Sequence, residues 1–586
     1  MKYSEVLADW LKDIGYTHCF YINGGNNMHL VQSCNKRFKC VPFIHEVSAG
    51  IAAEYFNEAN SSKKAFALVT AGPGLTNIVT AIAGAHLESR ELLVIGGQVK
   101  TSDLTTRKLR QRGIQEISGK DIVKPITLNS EIMKVTWSKK KFYDFVFFKK
   151  NLRKGSKFLE IPIDIQGKDY TNYNHSFKKP KSKKFKIKKN QINYLRKLFS
   201  KSKRPVILIG GGIDREVSRK LSNSIKKTSI PFMTTWNGAD RIGSLHPNYF
   251  GRPNTWGQRR ANIIIQQSDL VLALGTRLGL QQTGFNWQEF IPQGKIVHVD
   301  IDKEEINKGH PKIFYGIQTD ANLLLNNLLK YKLGNFKNWF DYCSMIKSEI
   351  PLIEKNVNKK HKFYVSPYEF YRKLSGMCKS NDIILPCSSG GAFTTFYQTF
   401  NHKENQTIIS NKSLAAMGYG LGGAIGASLA NKNKKVILVE GDGGFAQNIQ
   451  EIGTVAINKC NIKIFIFDDS GYASIRMTQR NYFKGNYVGC DKNTGLGLPQ
   501  WDKVFNPWGI KVVKINYKNF KKLEKNKHFN SNYPVAFIVS ISPDQTYFPK
   551  ISSKALKNGK LVSNPIHLMS PDLDKSIIEK VFKYLK

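Results

Sequence analysis

Two strand-like apolar runs in the last third of the chain each end in a short turn that combines acidic residues with glycine. The first run ends in Gly441-Asp442-Gly443-Gly444, and the second, Ile462 to Phe467, ends in Asp468-Asp469-Ser470-Gly471. One helix-length segment separates them, which is the spacing of a β-α-β unit with parallel strands. Because ligands of open α/β sheets bind beyond the carboxyl ends of the strands, we expect both turns at one binding edge.

The residues of these turns suit a magnesium ion held together with a diphosphate. Their glycines allow the backbone to approach a ligand closely, and the following helix, from about Phe445, offers free N–H groups to phosphate oxygens. Asp442 and Asp469 supply carboxylate oxygens and the Gly471 turn a carbonyl, a set that fits octahedral Mg²⁺. The alternative is two plain glycine turns whose aspartates cap helices. The pairing of the turns favours the metal site.

Strand-like runs elsewhere divide the 586 residues into three α/β domains in series, each with a doubly wound parallel sheet. Runs such as AFALVT, RPVILIG and KVILVEG alternate with helical stretches, which is typical of this class. The predicted domains span residues 1–170, 190–345 and 365–550, followed by a C-terminal tail over 551–586. A lysine-rich segment, 177–190, is predicted to be a solvated linker.

Composition excludes several classes of protein. The formal net charge is +46, but the basic residues are spread along the whole chain without a recognition motif, so nucleic acid is not an expected partner. No apolar run reaches about 18 residues, so no membrane span is expected. The N-terminus has amphipathic helix spacing rather than that of a signal peptide, and eight scattered cysteines form no CxxC pair. These features predict a reduced, cytoplasmic protein.

The GDG triplet, the 24 residues after it and the pair of short polar side chains that follows resemble the motif of thiamine-diphosphate enzymes. In that family the pair is usually Asn-Asn, and its second member binds the metal. Asp468-Asp469 departs from the pattern but keeps an oxygen ligand at 469, so the resemblance implies that Asp469→Asn would be tolerated. Other segments are similar to acetolactate synthases in the same order: FIHEVSAGIAAEYF, TAGPGLTNIVTAIAGAHLESRELLVIGGQV, LHPNYFGRPNTWG, KIVHVDIDKEEINK and SLAAMGYGLGGAIGA.

The resemblance implies an activating glutamate in the first domain and a cofactor cradle in the third. Glu46 corresponds to the buried glutamate beside the pyrimidine ring of thiamine diphosphate; taken alone, it would more commonly be a surface acid. Met417 would hold the two cofactor rings folded over each other, and the Ala415 carbonyl would accept from the 4′-amino group. The implied cofactor-binding set is Glu46, Pro73, Asn77, Ser388, Gly390, Gly391, Ala415, Met417, Gly441, Asp442, Gly443, Gly444, Asp469, Gly471 and Tyr472, with Mg²⁺ on Asp442, Asp469 and Gly471.

The family places this cofactor between chains. A homodimer or homotetramer with sites at the subunit interface is therefore expected, in which Glu46 of one chain and Asp442 of another serve the same cofactor. Some relatives bind FAD in the central domain. The IGGGI run, Ile209 to Ile213, is a weak signal for it, and plain turn chemistry explains that run equally well.

The candidate catalytic residues are Glu46, Gln115 and Thr478, and the predicted activity is that of a carboligase. The loop from Thr101 to Gly119 has no histidine to protonate a carbanion, and its Gln115-Glu116 pair resembles the QE of acetolactate synthases. Attack on a second carbonyl is therefore favoured over release of an aldehyde.

Thr478 stands where acetolactate synthases usually have a tryptophan. The segments SIRMTQRNYF, GQVKTSDL and SSGGAF resemble a subgroup found with nucleotide-sugar enzymes, which transfers a two-carbon unit from pyruvate to a keto-sugar nucleotide. Two alternatives stay open: an acetolactate synthase that joins two 2-oxo acids, and a non-catalytic relative whose thiamine site is structural.

Overall fold

The computed structural model describes residues 1–105, 109–149, 152–171, 185–354, 357–358, 361–387, 389–555, 558–559 and 561–585. Three parallel sheets follow one another along these residues, with helices between the strands, which confirms the predicted α/β class of three doubly wound domains in series. Most of the lysine-rich linker lies outside the described residues. No helix within the described ranges is both long enough and apolar enough to cross a bilayer.

The first sheet has six parallel strands: β1 Tyr16–Tyr21, β2 Lys39–Pro42, β3 Lys64–Val69, β4 Leu92–Gln98, β5 Asn129–Ile132 and β6 Ser156–Pro162. Their order across the sheet is β2-β1-β3-β4-β6-β5. The helices of this part are α1 Tyr3–Ile14, α2 Met28–Asn35, α3 Glu46–Ala59, α4 Pro73–Asn77, α5 Val79–Leu87, α6 Gly119–Val123, α7 Lys139–Val146 and α8 Ile163–Gly167. The central strands β3 and β4 are buried along almost their whole length, as expected for a parallel sheet covered on both faces.

The central sheet has five parallel strands: β7 Pro205–Ile209, β8 Phe232–Thr234, β9 Leu270–Leu274, β10 Lys295–Asp300 and β11 Tyr315–Gln318. Their order is β11-β10-β9-β7-β8. The helices are α9 Lys189–Lys201, α10 Arg215–Lys226, α11 Arg259–Gln266, α12 Leu280–Thr283, α13 Lys303–Asn307, α14 Ala321–Leu328 and α15 Lys337–Glu349.

The third sheet has six parallel strands: β12 Ile383–Leu385, β13 Thr407–Ile408, β14 Val436–Gly441, β15 Ile462–Asp468, β16 Lys511–Ile515 and β17 Val535–Ser540. Their order is β13-β12-β14-β15-β17-β16. The helices are α16 Pro367–Met377, α17 Gly390–Thr399, α18 Tyr419–Ala430, α19 Asp442–Phe445, α20 Ile452–Ile457, α21 Ala473–Tyr482 and α22 Trp501–Val504.

The end of the chain folds back onto the central domain. It forms β18 Lys550–Ile551, β19 Ser553–Ala555, β20 Leu561–Ser563, β21 Met569–Ser570 and α23 Lys575–Val581. Asn262 Nδ2 donates to the carbonyl of Ile566 at 2.8 Å, and Gln267 Nε2 donates to that of Val581 at 2.9 Å. Ile566 and Val581 are themselves part of the apolar core of the central domain.

One apolar core joins the first and third domains through α3 and α18. The two helices approach closely because small residues face each other. The Cα of Ser48 lies 3.3 Å from where a Cβ on Gly422 would sit, and a Cβ on Gly426 would overlap the carbonyl of Ala52. Gly422 and Gly426 are thus glycines because of packing rather than backbone conformation.

Candidate active site

The two acid turns meet at the carboxyl ends of β14 and β15, which are neighbouring parallel strands. Asp442 is the first residue of α19, which therefore starts three residues before the position expected from the sequence. The N–H of Gly471 donates to Asp442 Oδ2 at 3.0 Å, which ties the second turn to the first. The ring of Tyr472 occupies the space that a Cβ on Gly443 would need. The turns are thus locked together by a carboxylate and by a glycine that admits an aromatic ring.

Two carboxyl groups are buried side by side at this edge. Asp442 is 1% exposed and Asp469 is 6% exposed. Burial raises the pKa of Asp442 well above its usual range, and the nearby charges of Asp469 and Asp468 raise it further. Burial likewise raises the pKa of Asp469 to about 7, against the opposing effect of Arg476. A divalent cation would relieve the repulsion between such carboxylates.

The donor set fits a magnesium ion shared with a phosphate ligand. Within the described ranges, no three His, Cys, Asp or Glu side chains cluster as a metal cage would require. Asp442 and Asp469 would provide two carboxylates to such an ion, and the Gly471 carbonyl would be a third oxygen ligand. Mg²⁺ commonly takes one or two carboxylates and completes its shell with phosphate oxygens and water, so this set is sufficient.

Arg476, which the sequence analysis did not identify, is bound to the second turn. It lies on α21 and is 3% exposed. Its Nη2 donates to Asp469 Oδ1 and to the Asp469 carbonyl, both at 2.7 Å. A sequence signal existed: Arg476 shares the buried stripe of α21 with Ala473 and Met477, where an unpaired cation would be costly.

The predicted diphosphate cradle includes the turn after β12. There α17 begins at Gly390, whose φ of 78° is in the left-handed region. Because this ten-residue helix starts after the carboxyl end of β12, its first N–H groups lie at the same edge as the two acid turns. The ring of Tyr547 fills the space beside Gly391. Ser388, also predicted to bind the cofactor, lies outside the described residues.

The residues before α18 have the conformation expected of a ligand-facing segment. Ala415 has a φ of 55°, which is uncommon for a residue with a Cβ. The side chain of Met417 is 37% exposed although the helix that follows is buried throughout. Gly418 takes a φ of 79° as the N-cap, and its carbonyl accepts from Asn448 Nδ2 at 2.7 Å. An exposed methionine beside a buried glycine-rich helix suits contact with an aromatic cofactor ring.

Glu46 is the first residue of α3 and is 7% exposed, so its expected burial is present. Asn77 Nδ2 donates to Glu46 Oε2 at 3.0 Å, and Pro73 begins the short helix α4 that carries Asn77. From the third domain, Glu451 Oε1 accepts from the N–H of His45 at 3.0 Å. The first and third domains of one chain thus touch beside Glu46. Whether Glu46 serves the cofactor of its own chain or a partner's stays a prediction.

Gln115 lies against the same turn. Its backbone has a φ of 62°, and its carbonyl oxygen would be 2.6 Å from a Cβ placed on Gly72, the residue before Pro73. Glu116, 6% exposed, holds this loop because its carboxylate accepts from the N–H groups of Thr105, Arg112 and Gly113. Glu46, Asn77 and Gln115 are thereby grouped in one region of the first domain.

Thr478 lies on α21, two residues after Arg476, and its side chain is exposed. Its hydroxyl donates to the Ser474 carbonyl at 3.0 Å, within the same helix. A cavity of about 510 Å³ opens at the ends of β15, β16 and β17, and Thr478 is not among the residues that line it. Asp442 and Asp468 line it together with Lys492, Trp501 and Lys514, three residues that sequence reasoning did not single out.

Packing explains the glycines of the IGGGI run, Ile209 to Ile213, in the central domain. The Cα of Gly275 lies 2.8 Å from where a Cβ on Gly212 would sit. Arg241 Nη2 and Asn322 Nδ2 each donate at 3.2 Å to carbonyls of this turn, those of Gly211 and Gly212. These contacts account for the glycines without a flavin, so this turn gives no support to FAD binding.

Comparison with known proteins places the three domains in one family. The model described as "Thiamine pyrophosphate enzyme, N-terminal TPP binding domain" matches residues 1–122, the central-domain model matches 192–328, and the C-terminal TPP binding domain model matches 389–538. Together they span well over half of the chain.

Similar curated proteins include three acetolactate synthases. The acetolactate synthase large subunit of Cyanidium caldarium is 27% identical over 87% of this chain and 87% of its own length. A probable acetolactate synthase large subunit of Methanococcus aeolicus is 28% identical over 85% of each chain. The acetolactate synthase isozyme 1 large subunit of Escherichia coli K12 is 26% identical over 94% of this chain and 95% of its own length.

Proposed function

This chain belongs to the thiamine pyrophosphate enzyme family, and on that premise we propose that it is an acetolactate synthase-like carboligase. It would decarboxylate a 2-oxo acid, pyruvate in our proposal, and transfer the remaining two-carbon unit to a carbonyl acceptor. The observation that carries this proposal is the meeting of the two acid turns at the ends of β14 and β15, bound together by Gly471 and Asp442.

Each part of the site has a task that its side chains can perform. When bound, thiamine diphosphate would supply the carbon nucleophile of the reaction. Asp442, Asp469 and the Gly471 carbonyl would hold Mg²⁺, and the first N–H groups of α17 would bind diphosphate oxygens. Glu46 would hold a proton at N1′ of the pyrimidine ring, with its carboxyl group oriented by Asn77.

The loop that carries Gln115 favours transfer to a second carbonyl over release of an aldehyde. The loop from Thr101 to Gly119 has no histidine that could donate a proton to release an aldehyde. Gln115, on that loop, lies against the turn that leads to Pro73 and Asn77, and it offers a neutral amide for positioning the reactants.

For the acceptor we propose a keto-sugar nucleotide. Thr478 is small and exposed, so the position leaves room for a sugar ring, whereas a second pyruvate would be held loosely there. The charge of +46 would also favour an anionic acceptor. The runner-up is an acetolactate synthase that joins two 2-oxo acids, which the names of the relatives support.

The test is mass spectrometry of the products formed from pyruvate with and without a panel of keto-sugar nucleotides. We expect slow acetolactate formation from pyruvate alone and faster pyruvate consumption when the right sugar nucleotide is present. Thr478→Trp should reduce the sugar reaction much more than decarboxylation, because only the second half-reaction needs that space, while Thr478→Ser serves as the size-matched control. Fast acetolactate formation that no sugar nucleotide alters would establish the runner-up. Bound thiamine diphosphate without any pyruvate consumption would indicate a non-catalytic relative.

A further inference from the structure

We propose that Arg476 is a positioning residue that makes Asp469 a one-oxygen metal ligand, so that the aspartate and the arginine work only as a pair. Arg476 binds Asp469 Oδ1, and Oδ2 would be the oxygen offered to the cation. The inference rests on the proposed metal site and adds to it a residue outside the ligand set.

The hydrogen bonds of Arg476 support a fixed position. Besides its two bonds to Asp469, its Nη1 donates at 3.3 Å to the carbonyls of Ser470 and Cys490, and its Nε donates at 3.3 Å to that of Pro543. All three guanidinium nitrogens are therefore engaged. A guanidinium held by these five hydrogen bonds cannot swing away from Asp469 without breaking them.

The charge of the pair explains how an acid can stand at position 469. An additional carboxylate beside Asp442 and Asp468 would increase the negative charge of a buried site, whereas a salt bridge to Arg476 at 2.7 Å offsets it. The pair then presents the cation with one oxygen and little net charge, which is also what a neutral asparagine side chain provides. Asp469 and Arg476 together would therefore take the place of the single asparagine that the family usually has at this position.

This account predicts a result opposite to the one expected from the resemblance alone. An asparagine at 469 has one oxygen. If Arg476 keeps that oxygen, the amide NH₂ faces the cation and cannot bind it. If the amide turns over, its NH₂ faces the guanidinium donors instead. Either way a charge-assisted contact is lost, so Asp469→Asn should bind the metal poorly unless Arg476 is removed as well.

The experiment is a Mn²⁺ titration, followed by electron paramagnetic resonance, of protein stripped of cofactor and supplied with thiamine diphosphate. The variants are Asp469→Asn, Arg476→Met and the double variant, with Asp468→Asn as a control that removes the same charge from the adjacent residue. We expect Asp469→Asn to bind Mn²⁺ at least about tenfold more weakly, the loss of one charge-assisted hydrogen bond. The double variant should recover most of that loss, and Asp468→Asn should change the affinity less.

Several outcomes would overturn the pairing. Asp469→Asn binding Mn²⁺ as tightly as the unmodified protein would show that Arg476 has only a structural role. A double variant no better than Asp469→Asn would show the same. If Arg476→Met unfolds, as a thermal melt without metal would reveal, the nearly isosteric Asp469→Asn decides the question alone. No Mn²⁺ binding by the unmodified protein would instead contradict the metal site of the proposed function, and the pairing with it.

Discussion

The first and third domains have the same sheet but different chemistry at its edge. Counted within each domain, the strand order is 2-1-3-4-6-5 in both, and the helix after the second strand, α3 in one and α18 in the other, packs against its counterpart. In such an order the sheet has its switch point between the first and third strands, where ligands bind. The first domain supplies Glu46 near that edge, whereas the third supplies Asp442 and Asp469 with Arg476.

This comparison indicates that the sheet topology determines where a ligand can bind. The residues of the turns determine which part of the ligand each edge can bind. The third strand of the first sheet is followed by Thr70-Ala71-Gly72-Pro73-Gly74, which contains no acid, and that of the third sheet by Asp442-Gly443-Gly444. The acidic turn suits a metal and a diphosphate, while the turn without charge packs against Gln115 beside Glu46 and Asn77. In our proposal, these two copies of one fold would bind different parts of the same cofactor.

The largest expected effect comes from removing Asp442, because the corresponding turn of the first domain has no acid. Asp442→Ala should abolish Mg²⁺-dependent binding of thiamine diphosphate, because it removes a proposed metal ligand and the acceptor of the Gly471 N–H. Isothermal titration calorimetry measures this. Thr70→Ser, at the corresponding turn of the first domain, is the control and should leave binding unchanged. Equal losses in the two variants would mean that the two turns do not have separate roles.

Glu46→Gln tests the carboxyl group of the first domain. We expect thiamine diphosphate to bind and the C2 proton of the cofactor to exchange at least about a hundredfold more slowly, as is typical when a general acid–base group is lost. Proton exchange followed by NMR measures the rate, and calorimetry confirms that binding is retained. A normal exchange rate in this variant would remove Glu46 from the activation step.

The contact between α3 and α18 should be sensitive to a single methyl group. Gly426→Ala places a Cβ against the backbone carbonyl of Ala52, so one helix must move, at a cost of about 1–3 kcal/mol. Gly376→Ala on α16 is the matched control, since nothing lies within 4 Å of its new Cβ, and it should be neutral or slightly stabilising. Thermal unfolding compares the two. An unchanged melting temperature for Gly426→Ala would contradict the close pairing of the helices.

A smaller, pH-dependent effect is expected where the third domain meets the central one. His402 is buried, its Nδ1 is 2.8 Å from Ser244 Oγ, and burial lowers its pKa to about 3. Below its usual value of 6.5 the unfolded chain binds a proton that the folded chain does not, so stability falls as the pH drops from 6.5 toward 3. The loss at pH 5 is about 2 kcal/mol. His402→Gln should flatten the pH profile of thermal unfolding over that range, and an unaltered slope would contradict the assignment.

The interior of each sheet could be predicted from sequence, but most of its edges could not. Mostly apolar runs such as VILV and IFIF identified β14 and β15, because strands buried on both faces consist largely of apolar residues. The edge strands β5 and β16, with sequences NSEI and KVVKI, are half exposed and carry polar residues, so they lack that signal. Interior β1 was also missed, because YTHCFY mixes threonine and histidine with aromatic residues.

Likewise, only some features of the candidate site could be predicted from the sequence. Asp442 and Asp469 could be predicted because each belongs to a local turn with its own glycines. The ion pair between Arg476 and Asp469 could not, because the place of Arg476 on the buried stripe of α21 indicates a buried cation but not which acid it contacts. The left-handed backbone of Ala415 and the contact of Gln115 with Gly72 also depend on packing between distant segments.

The central claim is that one cofactor is served by the first domain of one chain and the third domain of another. Co-expression of Glu46→Gln with Asp442→Ala tests it most directly, because each variant alone is expected to be inactive. In a mixed dimer one of the two sites would be intact and the other doubly damaged, so random pairing should restore about a quarter of the unmodified activity. Verified mixed dimers that show no activity would contradict the claim and place both domains of each site in a single chain.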